Sequence, residues 1–326
     1  MMLTDIYGRS ISYLRISLTE RCNLQCAYCY GDISNCLAPK TFLSDTGLLK
    51  LINAFTFLGI DKIRYTGGEP LLRENIADII EETSKLNSIN IIGLTTNGTL
   101  LGPRLDSLVR AGLNRLNISL DSLDRNTYAE ITGHDRLYTV LDAVDRALGY
   151  DIFDRIKINV VVMRGINDTE APEFVEWAID KKIDLRFIEF MPAYNSGWGD
   201  ELFVGEDEIK DRIGLDLKAV SNANLNSGPA RSYEYRDYPG RISFVSALSR
   251  GFCKSCNRLR LTSKGDLVGC LFDNRSVNLA GLVENNDSIE KVAVKLKGIF
   301  DRQLYRKPPG IGISYACNPV MREIGG

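Results

Sequence analysis

Cys22, Cys26 and Cys29 stand on a C-x3-C-x2-C spacing in the run Arg21-Cys-Asn-Leu-Gln-Cys-Ala-Tyr-Cys-Tyr30. Three thiolates so close together can hold three corners of a cubane iron–sulfur cluster and leave the fourth iron open for chemistry. A fully ligated electron carrier on C-x2-C-x2-C-x3-C needs a fourth cysteine nearby. Cys36 comes seven residues after Cys29, with Pro39 soon after, so the open iron reads as intended. The competing reading is zinc, but closed zinc sites take four protein ligands, and no histidine or fourth cysteine is suitably near.

A second trio follows far down the chain. Cys253 and Cys256 form C-x2-C, and Cys270 comes after thirteen intervening residues. Three ligands again leave a position open, either as a second cluster with an iron for substrate or as a zinc knuckle completed by Cys317 or water. Between them lies Asn257-Arg-Leu-Arg-Leu261. In a strand, Arg258 and Arg260 share one face and Leu259 and Leu261 the other. Two guanidinium forks on one face suit a polyanion, since arginine grips phosphate oxygens bidentately; solvated surface arginines are the plainer alternative.

The first trio, followed about forty residues on by Thr66-Gly67-Gly68-Glu69-Pro70, resembles the cluster motif and glycine-rich segment of the radical S-adenosylmethionine (SAM) enzymes. Glycines after a strand let backbone approach a ligand closely. With C-x2-C-x-R-x-R, the late third cysteine and an ending in Ile324-Gly325-Gly326, the chain resembles the GTP 3′,8-cyclase (MoaA) family of molybdenum cofactor biosynthesis from about Tyr7 to Gly326.

The resemblance implies two [4Fe-4S] clusters. Cluster one is on Cys22, Cys26 and Cys29 and cleaves SAM to a 5′-deoxyadenosyl radical; cluster two is on Cys253, Cys256 and Cys270 and binds the guanine of GTP. It implies SAM contacts at Tyr28, Gly68, Ser119 and Met191, and GTP contacts at Arg15, Arg64, Thr95, Lys157, Arg258 and Arg260. Arg258, Arg260 and the tail residues Gly325 and Gly326 receive catalytic parts, with Arg186 and Arg73 as further cationic candidates. An external electron donor, hand-over of product to cyclic pyranopterin monophosphate synthase (MoaC), and a homodimer also follow from the resemblance. Two departures stand out: Tyr30-Gly31 where the family commonly has Met-Pro, and Lys307-Pro-Pro-Gly-Ile-Gly312 without the histidine often found there. His134, the only histidine, reads as structural, and Cys36 and Cys317 as free thiols.

These residues need strands to position them. From residue 13 to 190 β-rich runs alternate with amphipathic stretches, the pattern of βα units on a parallel sheet. Six strands are expected at 13–17, 62–66, 90–95, 115–120, 156–163 and 184–190. Ser44 caps one helix start and Thr169 precedes another with acidic residues in its first turn. Six units fall short of a complete eight-stranded barrel, so an α/β fold with an open partial (β/α)6 TIM-like barrel is expected, its functional groups beyond the C-terminal strand ends. After Pro192 the composition changes, and 241–247, 258–262 and 266–270 read as strands of a small C-terminal layer covering the barrel mouth, with a Lys264-Gly265 hairpin turn. The expected organisation is therefore a barrel over 1–192 and an extension over 193–326.

At 326 residues and 44% hydrophobic content the chain can fill a large core. Net charge −2 and pI near 5.7 argue against a general nucleic-acid-binding surface. Apolar runs are too short to span a bilayer, and the N-terminus lacks the basic flank and apolar core of a signal peptide. A cytoplasmic protein is expected, since the uneven grouping of its eight cysteines favours metal ligation in a reducing compartment over disulfides.

Overall fold

The structure, a computed structural model, describes residues 2–29, 42–153, 155–191, 199–220, 230–251, 253–272, 275–304 and 306. The tail with Gly325 and Gly326, the Tyr30-Gly31 and 307–312 departures, Cys36 and Cys317 lie outside the described residues.

A small hairpin, β1 (Leu3–Thr4) and β2 (Ser10–Ile11), leads into β3 (Tyr13–Ser17). Five more strands alternate with helices: β4 (Lys62–Thr66), β5 (Ile91–Thr96), β6 (Arg115–Ser119), β7 (Ile156–Val162) and β8 (Asp184–Glu189). All six expected strands are present, displaced by at most a residue at their ends, and each pairs in parallel with the next. Their two faces do different work. On β7, Ile156, Ile158, Val160 and Val162 are buried while Lys157, Asn159 and Val161 are only half-buried. The first set packs beneath the helices, and the second faces the interior of the curved sheet.

The helices are α1 (Asp45–Phe57), α2 (Ile76–Ser84), α3 (Leu105–Arg110), α4 (Arg125–Thr132), α5 (Leu137–Leu148) and α6 (Ala171–Lys181). Ser44 caps α1 as expected, its side chain accepting from the Gly47 N–H. Thr169 lies within a 3₁₀ turn, Asp168–Glu170, and α6 starts just after it at Ala171, with Pro172 and the acidic Glu173 in its first turn. The Glu170 carboxylate accepts from Ser122 Oγ and the Leu123 N–H.

The C-terminal part departs from the expected separate layer. After α7 (Glu206–Ile213) come β9 (Lys218–Ala219), β10 (Arg231–Glu234), β11 (Ile242–Val245), β12 (Arg258–Leu261), β13 (Asp266–Val268) and β14 (Ser276–Asn278), then α8 (Ala280–Val283) and α9 (Ile289–Arg302). β11 adds in parallel to β8, and β12 adds in parallel to β3. Among the described residues one twelve-stranded sheet results, in the order β14-β13-β12-β3-β4-β5-β6-β7-β8-β11-β10-β9, with parallel pairing from β12 through β11. The exposed backbone edges of β3 and β8 explain this, since an unpaired strand edge is a template for another strand. Leu259 and Leu261 sink fully into the core while their alternates Arg258 and Arg260 take the interior face. The result is an α/β fold with a mixed, largely parallel sheet resembling a partial barrel. Among the described residues no helix is long and apolar enough to cross a membrane.

Candidate active site

The cysteine loop follows β3, and its backbone is gripped by the glycine pair after β4. The Gly68 N–H donates to the Thr19 carbonyl (2.7 Å) and the Glu69 N–H to that of Arg21 (2.7 Å). A Cβ on Gly67 would lie 2.4 Å from the Thr19 oxygen, and one on Gly68 2.2 Å from that of Arg21. The pair is therefore needed to seat the loop, a role that a ligand-facing reading of two glycines misses.

Cys22, Cys26 and Cys29 line one cavity of about 210 Å³. Tyr28, Gly68, Ser119 and Met191, from four separate segments, line it too, with Thr95. The buried carboxylates Asp121 and Glu189 line it, and Glu69 is buried behind the lining residues Thr96 and Asn97. Glu69 accepts from the N–H groups of Leu71 (3.0 Å) and Asn97 (2.8 Å) and from Thr96 Oγ1 (2.8 Å); burial outweighs these donors and lifts its carboxyl to about 7. Asp121 accepts from Tyr28 Oη (2.6 Å) and the Val161 N–H (2.8 Å), and burial lifts it to about 6. Burial, reinforced by Asp121 and the neighbouring cysteines, pushes the Cys26 thiol well above its ordinary value. Glu189 ties this rim to the C-terminal part, accepting from the N–H groups of Glu206, Leu248 and Ser249.

The second trio, Cys253, Cys256 and Cys270, lines a smaller cavity of about 40 Å³ with Arg258, Arg260, Arg9 and Arg306. All six of these cysteines are half-buried. Among the described residues no group of three Cys, His, Asp or Glu side chains would hold a single metal ion. A cubane asks for something else, because each thiolate bonds a separate iron, and three unlinked thiols sharing one cavity fit that donor requirement at both places.

A band of cations joins the two cavities across the sheet interior. Strand register sets Arg260 beside Arg15 and Arg15 beside Arg64, and one step earlier Arg258 beside Tyr13 and Tyr13 beside Lys62. Gly93 comes next to Arg64 on β5, and a Cβ there would meet the guanidinium at 2.8 Å. The bare position makes room for the arginine. Arg64 donates through Nε to Tyr13 Oη (2.9 Å) and through Nη1 to the Leu94 carbonyl (2.9 Å) and Thr95 Oγ1 (3.5 Å). Thr95 lines the first cavity, so the band reaches it.

Lys157 donates to Asp184 (2.5 Å), with Arg186 beside it. Crowding and burial show in the proton affinities. Burial and neighbouring guanidiniums lower Lys62 and Lys157 to about 8 and Arg15 and Arg186 to about 10, and hold Arg260 well below its ordinary value. Burial alone would raise the Tyr13 phenol, but Arg64, Arg15, Lys62 and Arg258 outweigh it and bring the group to about 7.

Arg73 stands apart, ion-paired with Asp45 and donating to the carbonyls of Leu18 and Leu43. His134 is exposed on the turn after α4, where its carbonyl accepts from Thr132 Oγ1 (2.9 Å). Tyr13 and Lys62 were missed by sequence reasoning, although the strand alternation that pairs them with Arg15 and Arg64 could have found them. Asn117 and Asn159, which present unpartnered buried oxygens, carried no such signal.

A partial parallel barrel with an open three-cysteine loop after its first barrel strand defines a radical SAM protein. Residues 16–178 match the Radical SAM superfamily and residues 183–313 match Molybdenum Cofactor Synthesis C. The chain is 39% identical to a GTP 3′,8-cyclase of Thermodesulfovibrio yellowstonii over 99% of its length and 100% of that protein. It is 37% identical to a GTP 3′,8-cyclase of Clostridium acetobutylicum, over 99% and 100%. The crystal structure of Streptococcus suis SuiB bound to S-adenosylmethionine aligns with a TM-score of 0.65 over 92% of this chain and 68% of that one, at 15% identity, a likeness of fold. The chain belongs to the GTP 3′,8-cyclase (MoaA) family of radical SAM enzymes.

Proposed function

We propose that the protein converts GTP to (8S)-3′,8-cyclo-7,8-dihydroguanosine 5′-triphosphate in molybdopterin biosynthesis, with two [4Fe-4S] clusters and SAM. The observation that carries this reading is the cation band running from one cysteine cavity to the other. Seven cations, Arg15, Lys62, Arg64, Lys157, Arg186, Arg258 and Arg260, are buried or half-buried there, and burial together with their mutual repulsion lowers the proton affinity of most. A bound triphosphate relieves that repulsion, and guanidinium forks match its oxygens.

When bound, the first cluster and SAM supply a hydrogen-abstracting radical, while the second cluster offers an open iron to guanine. The protein's residues orient and enclose the substrate. Tyr28, Gly68, Ser119 and Met191 line the SAM cavity beside Cys22, Cys26 and Cys29. Arg258 and Arg260 anchor GTP at Cys253, Cys256 and Cys270, and Thr95 with Arg64 stands where the two ligands meet. Residues 1–192 act as the radical-generating barrel. Residues 193–326 act as the substrate-holding extension that covers the mouth, with Gly325 and Gly326 entering the site. The working enzyme is a cytoplasmic homodimer that takes electrons from an external donor and passes its product to cyclic pyranopterin monophosphate synthase.

The test is anaerobic turnover of the reconstituted protein with reductant, SAM and either GTP or ATP, following 5′-deoxyadenosine and a nucleotide isomer of GTP mass. GTP-dependent formation of both is expected. SAM cleavage indifferent to GTP would replace this reading with that of a radical SAM peptide-modifying maturase.

A further inference from the structure

Asp5, Arg9 and Arg306 lie against the second cysteine cavity and have no part in the site as derived above. The Asp5 side chain is only 4% exposed. Its Oδ1 accepts from the N–H groups of Tyr7 (3.0 Å) and Arg9 (2.9 Å), and its Oδ2 from Arg9 Nε (2.7 Å) and Arg306 Nε (2.8 Å). Both guanidiniums then turn to the cysteine segments. Arg9 Nη1 donates to the Cys253 carbonyl (2.7 Å) and Arg306 Nη2 to that of Cys256 (2.7 Å). Arg306 Nη1 reaches the carbonyls of Arg258 (2.7 Å) and Gly269 (3.4 Å), the residue before Cys270. One carboxylate thus fixes two forks that grip backbone at or beside all three cysteines.

A second observation points to a ligand. Arg9 Nη2 is buried without a hydrogen-bond partner, in a residue that lines the cysteine cavity. A buried donor on a charged group that is left unmet is destabilising, so a ligand acceptor at that point is favoured. Cluster sulfurs accept N–H hydrogen bonds, and such bonds set the reduction potential.

We propose that Asp5, Arg9 and Arg306 are the seat of the second iron–sulfur cluster: positioning residues that hold its three cysteine segments in register, with Arg9 Nη2 donating to a cluster sulfur. The inference rests on the reading of Cys253, Cys256 and Cys270 as cluster ligands. The seat joins the two ends of the described chain, so the cluster loop is braced by the N-terminal hairpin and by residue 306 together.

The test uses the full chain carrying Cys22→Ser, Cys26→Ser and Cys29→Ser, so that only the second cluster forms. After anaerobic reconstitution and desalting this protein is expected to hold ~4 irons per chain. Adding Cys253→Ser should abolish them, and iron that survives there overturns the ligand reading itself. Adding Asp5→Asn instead is expected to cut retained iron at least ~twofold per folded chain and to broaden the EPR signal of the reduced cluster. Thermal unfolding of the metal-free variants supplies the folded fraction. If Asp5→Asn does not fold, Arg306→Lys, which keeps the charge and loses the fork, takes its place. Arg9→Gln, which loses the grip on Cys253 but keeps those of Arg306, is expected to cut retained iron less than Asp5→Asn does and to move the midpoint potential of the cluster that remains to more negative values. With the Cys253→Ser control behaving as stated, unchanged iron retention at Asp5 or Arg306, or an unchanged midpoint with Arg9→Gln, overturns the proposal.

Discussion

The two cysteine trios offer the same donors in opposite electrical surroundings. Around Cys22, Cys26 and Cys29 stand the buried carboxylates Glu69 and Asp121, and burial with Asp121 pushes the Cys26 thiol up. Around Cys253, Cys256 and Cys270 stand arginines. Burial pushes the Cys256 thiol up there as well, but Arg258 and Arg306 outweigh it and bring the group down to about 7. Burial is common to both sites, so the charged neighbours decide the sign. In the proposed reaction each neighbourhood suits its ligand, the acidic one the cationic sulfonium and ammonium of SAM and the basic one a triphosphate.

The sharpest way to separate the sites is to unseat one. Gly68→Ala sets a Cβ against the Arg21 backbone, which has nowhere to go. Loss of the first cluster with retention of the second is expected, from ~8 to ~4 irons per chain after reconstitution. Equal loss from both would mean that the cysteine sites fold as one unit.

Arg64→Ala probes the bridge between them. It removes a buried guanidinium from the band while leaving the Cys22 loop untouched. GTP binding is expected to weaken by on the order of 10- to 100-fold, the worth of about 1.5–3 kcal/mol for a charged hydrogen bond. SAM affinity measured by calorimetry should change little. A matching loss for SAM would show that the cavities are not separable.

The smallest effect concerns the thiols. In metal-free protein at pH 7, Cys256 is expected to alkylate with iodoacetamide at least about fivefold faster than Cys26, since its larger thiolate fraction outweighs its lower intrinsic nucleophilicity. The Cys256 rate should rise with pH through a midpoint near 7, as the thiol loses its proton. Arg258→Ala should move that midpoint upward. Mass spectrometry of tryptic peptides reads both, and equal rates would erase the contrast.

Much of the frame was legible in the residues. The six barrel strands follow from β-rich runs with turn residues between them, and the cysteine spacings marked both cavities before any coordinates. Tyr28, Gly68, Ser119 and Met191, far apart in the chain, line one cavity with the first cysteine trio. The C-terminal strands were legible as strands and misread as a layer. Their partners β3 and β8 lie far away in the chain, and edge pairing between remote segments leaves no local pattern.

By itself, then, the sequence determined the cysteine spacings, the alternation of arginine and leucine, and where strands and turns would fall, because spacing and alternation are local properties. Only the tertiary structure decided what surrounds them. Gly67 and Gly68 are held to the cysteine loop, Gly93 gives way to Arg64, and Asp5 and Arg306 meet across the length of the chain. These are consequences of long-range contact. The sign of each site's electrostatics depends on charges brought together from remote segments, which one-dimensional order does not encode.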